Sequence, residues 1–130
     1  MSVYNLEHRR RYKDVSVSYT ILAATDYTTA SSKITGKAGY TIYIQKITVG
    51  VTTDNAATQL FQDSAGTPIE VAKTKASPGL GPIDFDFGDE GFALTEGKDF
   101  QHKMSAAGLA ASITVMAYMK PTGTLVPANI

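Results

Sequence analysis

The sequence predicts an all-β domain, an antiparallel β-sandwich of jelly-roll-like form with extended N- and C-terminal arms. Three observations predict it. β-branched and aromatic residues alternate with polar ones in short runs, no helix-period pattern of useful length occurs, and turn-forming residues cluster between the runs. Several short strands punctuated in this way are the signature of a sandwich or jelly roll.

The first strand is expected over residues 15–21. Val15, Val17, Tyr19 and Ile21 alternate with serine and threonine, so one face is apolar and the other wet. Residues 40–53, YTIYIQKITVGVTT, form the longest run. Its apolar phase changes, from Ile42 and Ile44 at even positions to Ile47, Val49 and Val51 at odd ones. A period of two cannot change phase without an extra residue, so a bulge or sharp bend is expected near Gln45 and Lys46. Such a bend would let this one strand serve two sheets. Further strands are expected at 58–62, 68–72, 82–87, 99–105 and 111–120. They are separated by a hairpin turn at 63–66, a rigid Pro/Gly loop at 77–82 and tight connections at 95–98 and 106–108.

A chain of 130 residues is read as one domain. Residues 1–13 form a basic N-terminal arm, 14–120 the sandwich, and 121–130 an extended C-terminal tail. With Pro121, Gly123 and Pro127, that tail cannot supply a central strand.

With 43% hydrophobic and 18% charged residues the chain has the composition of a folded domain. Twelve basic residues balance twelve acidic ones, which removes the electrostatic case for a dedicated nucleic-acid binder. Locally the charge is uneven. Arg9, Arg10, Arg11 and Lys13 face only Glu7 within the first 13 residues, so arm and body carry opposite signs. The absence of cysteine excludes disulfides, thiolate metal sites and cysteine nucleophiles. No apolar run has the length of a secretory signal or a membrane span, so the expectation is a cytoplasmically made protein with no membrane partner.

Catalysis has few residues to use. His8 lies in the arm, and His102 is in phase with Phe100 and Met104, which makes it a packed structural histidine. No nucleophile elbow or zinc-binding His-Glu pair is present, so the chain is read as no enzyme, with no cofactor. The best metal candidates are Asp84, Asp86, Asp89 and Glu90, since calcium wants clustered carboxylates. They lack EF-hand spacing and alternate with Ile83, Phe85 and Phe87, so a solvated strand face or an acidic contact patch is the preferred reading. The run Arg9, Arg10, Arg11, Tyr12, Lys13 could neutralise phosphates. Because the body is net acidic, it is read instead as a partner-binding arm for protein. Residues 77–82 lack the lysine of a phosphate loop and lead into a strand. Tyr4, Tyr12, Tyr19, Tyr27, Tyr40, Tyr43 and Tyr118 are candidate interface anchors.

From Tyr40 onward, the long strand ending in VGVTT, the LFQDSAGTPI hairpin, the GDEGFALTEGK turn, the SAAG turn and the closing SITVMAY strand resemble the small β-sandwich virion proteins of tailed bacteriophages. Capsid decoration, or cement, proteins are the nearest in style. The resemblance covers residues 40–120. It implies a structural protein on the capsid exterior that binds the major capsid protein or another virion protein, as a homo-oligomer with a trimer favoured. It carries no catalytic residues across. The alternative from another class is a carbohydrate- or receptor-binding module at a phage tail or fibre, using exposed tyrosines and calcium.

Overall fold

The computed structural model describes residues 12–22, 28–53, 57–75 and 82–122. Most of both expected arms and the 77–82 loop, apart from Pro82, lie outside them. Ten strands occur: β1 (Lys13–Asp14), β2 (Val17–Ile21), β3 (Ser31–Ile34), β4 (Tyr40–Thr53), β5 (Gln59–Asp63), β6 (Glu70–Thr74), β7 (Ile83–Asp86), β8 (Phe92–Ala93), β9 (Phe100–Met104) and β10 (Ala110–Pro121).

Strands β1 and β2 both pair with β10, and β7 and β8 both pair with β4, so each couple acts as one interrupted strand. Counted in that way, eight strands form two antiparallel sheets. One runs β1/β2, β10, β4, β7/β8, and the other runs β3, β9, β5, β6. Taken outward from the β5–β6 hairpin, the chain folds as nested pairs: β4 on β7/β8, β9 returning beside β3, and β10 beside β1/β2. This rolled-up hairpin is jelly-roll order.

The phase change in β4 is a bulge. Met116 of β10 lies opposite Lys46 and Ala117 opposite Ile44, which leaves Gln45 as the extra residue. Ile42, Ile44, Ile47 and Val49 are consequently all buried on one face. The bulge also sets the break between β7 and β8. The Gln45 carbonyl accepts the Phe87 amide at 2.8 Å, its side chain donates to the Asp89 carbonyl at 2.7 Å, and the chain turns out through residues 88–90 before rejoining at Phe92. The expectation that this strand serves two sheets is not met. β4 stays between β10 and β7/β8 along its whole length, because one extra residue restores the phase without a corner.

The core takes inward residues from both sheets: Ile21, Ile113 and Val115 from the first, Phe61, Phe100 and Met104 from the second. Phe61 and Phe100 stack at 6.0 Å. Each such side chain contributes roughly 1.5–3 kcal/mol by leaving water. The expected strand at 15–21 is shorter, at Val17–Ile21, and β1, β3 and β8 are additions. Lys13, at the end of the expected arm, pairs with Met119, and Pro121, at the start of the expected tail, closes β10 opposite Tyr40.

A polar device joins the sheets. The buried Asp63 carboxylate accepts the amides of Ala65 (3.2 Å) and Ile69 (2.9 Å) within the β5–β6 turn. It also accepts the amide (3.0 Å) and hydroxyl (2.7 Å) of Thr95, just past β8 in the other sheet. Burial raises its pKa, but the Thr95 hydroxyl and the three amides outweigh burial and hold the carboxyl below its ordinary value. At Gly36, a Cβ would lie 2.5 Å from the Lys98 carbonyl carbon and oxygen, so only glycine lets these loops touch.

Candidate functional site

The interior holds no reaction centre among the described residues. His102 is fully buried, shares a 2.9 Å hydrogen bond with the Tyr19 hydroxyl and packs against Phe61 at 4.5 Å. Burial, and after it the nearby Lys33 charge, lowers its pKa from 6.5 to about 3, so it is a neutral packing group at neutral pH. This is the structural role its phase in the sequence indicated. Gln59 is also fully buried, with its amide unpartnered among the described residues.

The acidic candidates do not converge. Asp84 and Asp86 point to solvent from one face of β7. Asp84 accepts the Thr48 hydroxyl at 2.7 Å and pairs with Lys46 at 3.7 Å, while Asp86 accepts the Gly88 amide at 2.9 Å. Asp89 and Glu90 engage through their backbone carbonyls, with the Gln45 amide and the Tyr118 hydroxyl. Among the described residues no three metal-ligating side chains come together.

What the structure does assemble is an aromatic ladder on the outer face of the larger sheet. Ile42 and Ile44 face inward, so Tyr43 between them faces out, and Tyr118 lies directly across from it on β10. Their rings stack at 5.1 Å. Tyr12 extends the stack from the strand edge, 5.4 Å from Tyr118. The Lys120 ammonium sits 4.8 Å from the Tyr43 ring and 5.5 Å from the Tyr12 ring, a cation–π arrangement that covers two rungs. Tyr118 donates to the Glu90 carbonyl at 2.7 Å, and burial, followed by Tyr12, Tyr43 and Glu90, raises its pKa. Met116, half exposed, lies two residues from Tyr118 on the same face. The tyrosines, held by one another and by Lys120, lose little side-chain entropy on docking, and Met116 adds a pliable apolar contact.

Of the expected partner-binding arm, Arg9, Arg10 and Arg11 lie outside the described residues. Tyr12 stands at the rim of the ladder, and Lys13 follows it in β1, paired with Met119. Of the seven tyrosines, the structure brings Tyr12, Tyr43 and Tyr118 together. Tyr19 is taken by His102, and Tyr40 carries the Lys37 ammonium at 4.6 Å. Tyr43 was findable from its phase opposite Ile42 and Ile44. That Tyr118 lies across from it depends on the bulge register.

No protein-family model matches the chain, and no curated protein matches it. Among solved structures, the chain is similar to that of the virus-like particle of the extra small virus of the giant freshwater prawn Macrobrachium rosenbergii, at 8% identity and TM-score 0.44, covering 87% of this chain and 81% of that one. It is also similar to VP2 in the subviral particle of infectious bursal disease virus, at 17% identity and TM-score 0.29, covering 86% of this chain and 34% of that one. This chain therefore spans about a third of that VP2. Neither of these two is a phage decoration protein, so the phage resemblance rests on the sequence motifs alone. The jelly-roll assignment rests on the strand pairing itself.

Proposed function

We propose that this chain is a non-enzymatic structural protein of a virion, bound to the capsid exterior of a tailed phage as a decoration or cement subunit. The observation that carries this reading is where the chemistry lies. The buried ionisable groups among the described residues, Asp63 and His102, are committed to joining the sheets, whereas the aromatic and methionine side chains suited to contact stand on an outer sheet face. A jelly roll built this way works through its surfaces. The ladder would dock on the shell, with the basic arm reaching from its rim to a neighbouring subunit. The phage-like turn motifs supply the kind of partner.

The tail- or fibre-borne glycan module is the weaker reading, because the carboxylates it would use for calcium are already engaged within the chain. Co-sedimentation with undecorated phage shells tests the proposal. The parent protein should pellet with shells, while Met116→Asp and Tyr12→Ala variants, both folded, should bind at least about tenfold more weakly. Calcium-dependent adsorption to cells without shell binding would favour the glycan module. Closed particles formed by the chain alone would make it a shell builder.

A further inference from the structure

Each sheet ends in an open strand, and a lysine pair at the end of one matches an aspartate pair on the other. β6 is the last strand on one side of the smaller sheet, and β7 is the last full strand on one side of the larger. On β6 the exposed residues are Glu70, at its start, and Lys73, with exposed Lys75 two positions beyond Lys73. On β7 the exposed residues are Asp84 and Asp86, also two positions apart. A spacing of two puts each pair on one face of its strand. Lys73 and Lys103 flank Leu60 in register, with Thr58 and Ser105 beside them, and form a shallow basic cleft of about 360 Å³ next to the β6 edge. None of these lysines forms an ion pair among the described residues, where the pair present joins Lys46 to Asp84. That pair leaves the Asp84 side chain 51% exposed. Ile69, just before β6, adds an apolar side chain at 39% exposure.

We propose that the β6 edge of one copy pairs with the β7 edge of a second copy, continuing a sheet across the contact and setting Lys73 and Lys75 against Asp84 and Asp86. The occupant follows from charge complementarity and matched spacing. Opposite charges on directly facing strands attract, and edge pairing satisfies backbone groups that each strand otherwise leaves to water. Two β7 edges would set Asp84 and Asp86 against their own copies and repel, so β7 takes an unlike edge, and the Lys73 and Lys75 pair supplies it. Each copy offers one edge of each kind, so the set closes in a two-fold pair that uses both or in a ring. This inference does not depend on a shell and is tested without one.

The test is sedimentation of the full chain across concentration and salt. Association should weaken at least about tenfold between low and high salt, because the pairs lie at an exposed edge. Lys73→Glu/Lys75→Glu and Asp84→Lys/Asp86→Lys should each stay monomeric where the parent associates, and an equal mixture of the two should associate again, since each then supplies the edge the other needs. Asp84 also holds Thr48 and Lys46, so Asp86→Lys alone serves as a milder variant with the same expected direction. Hydrogen exchange of the parent supplies a readout free of substitution: amides of β6 and β7 should gain protection with concentration while those of β2 do not. A parent that stays monomeric at all concentrations, variants that associate like the parent, or a mixture of folded variants that fails to associate would overturn the proposal. In those cases the lysines serve to keep edges apart.

Discussion

The Tyr19 hydroxyl of β2 and Nδ1 of His102 in β9 share a 2.9 Å hydrogen bond across the two sheets of the sandwich. Through it, folding is tied to the protonation of one buried imidazole. The folded pKa lies near 3 against 6.5 for a free histidine, so between those values the unfolded chain binds a proton that the folded chain excludes. Stability is therefore complete above pH 6.5 and is lost as pH falls toward 3, with a slope of up to about 1.4 kcal/mol per pH unit. Denaturant unfolding from pH 7 down to pH ~4 should show this slope, and His102→Gln should flatten it. An unchanged slope in the variant would assign it to other groups.

The Asp63 carboxylate should be worth more than a turn residue usually is, because it accepts four hydrogen bonds and two come from the opposite sheet. Asp63→Ala leaves those donors unpaired, with an expected loss of about 3 kcal/mol or more. Thr95→Val removes the hydroxyl alone and should cost about 1–2 kcal/mol. The folded pKa of Asp63 is depressed, so its contribution is present above the ordinary carboxylate value of 3.8 and disappears below it. Chemical denaturation of both variants at pH ~7 and pH ~3 separates this term from that of His102.

Gln45 separates length from identity. Gln45→Ala keeps the bulge and removes one side-chain bond to the Asp89 carbonyl, for a loss of about 1 kcal/mol. Deleting Gln45 leaves Ile44 and Ile47 separated by Lys46 alone, so both inward faces stay in phase, but the Phe87 amide and the Asp89 carbonyl lose their partners, and the variant should fold cooperatively with a loss of about 2–3 kcal/mol. Circular dichroism and thermal unfolding distinguish the two. A deletion variant that melts like the parent would show that the bulge is dispensable.

Gly36→Ala should destabilise by about 1–3 kcal/mol, since its Cβ meets backbone atoms of Lys98 that cannot swing aside. Gly66→Ala, where a Cβ meets nothing within 4 Å, is the control and should change stability by less than about 0.5 kcal/mol. Equal effects at the two glycines would mean that the contact at Lys98 is not tight in solution.

Elements that bury an alternating face were legible in the sequence. β2, β4, β9 and β10 declare themselves by period two, and the Gln45 bulge by its break in phase. β3 was not legible, because Ser31, Ser32 and Lys33 offer no apolar alternation; Ser32 holds Asp99 at 2.6 Å instead. β1 and β8 have two residues each and exist because a longer partner strand is present to pair with. Jelly-roll order depends on pairings between distant segments, which no local pattern encodes. For the site, the outward phase of Tyr43 was readable. Its stack with Tyr118 and Tyr12 was not, since that follows from the register across the bulge. The acidic run was readable as a wet face, but its partners Lys46 and Thr48 come from the neighbouring strand.

Electron cryomicroscopy of undecorated phage shells mixed with saturating protein tests the central claim most directly. Jelly-roll density is expected at regular lattice positions with the Tyr12, Tyr118 and Tyr43 face against the shell. Bare shells at saturating protein, or density with that face turned to solvent, would contradict it.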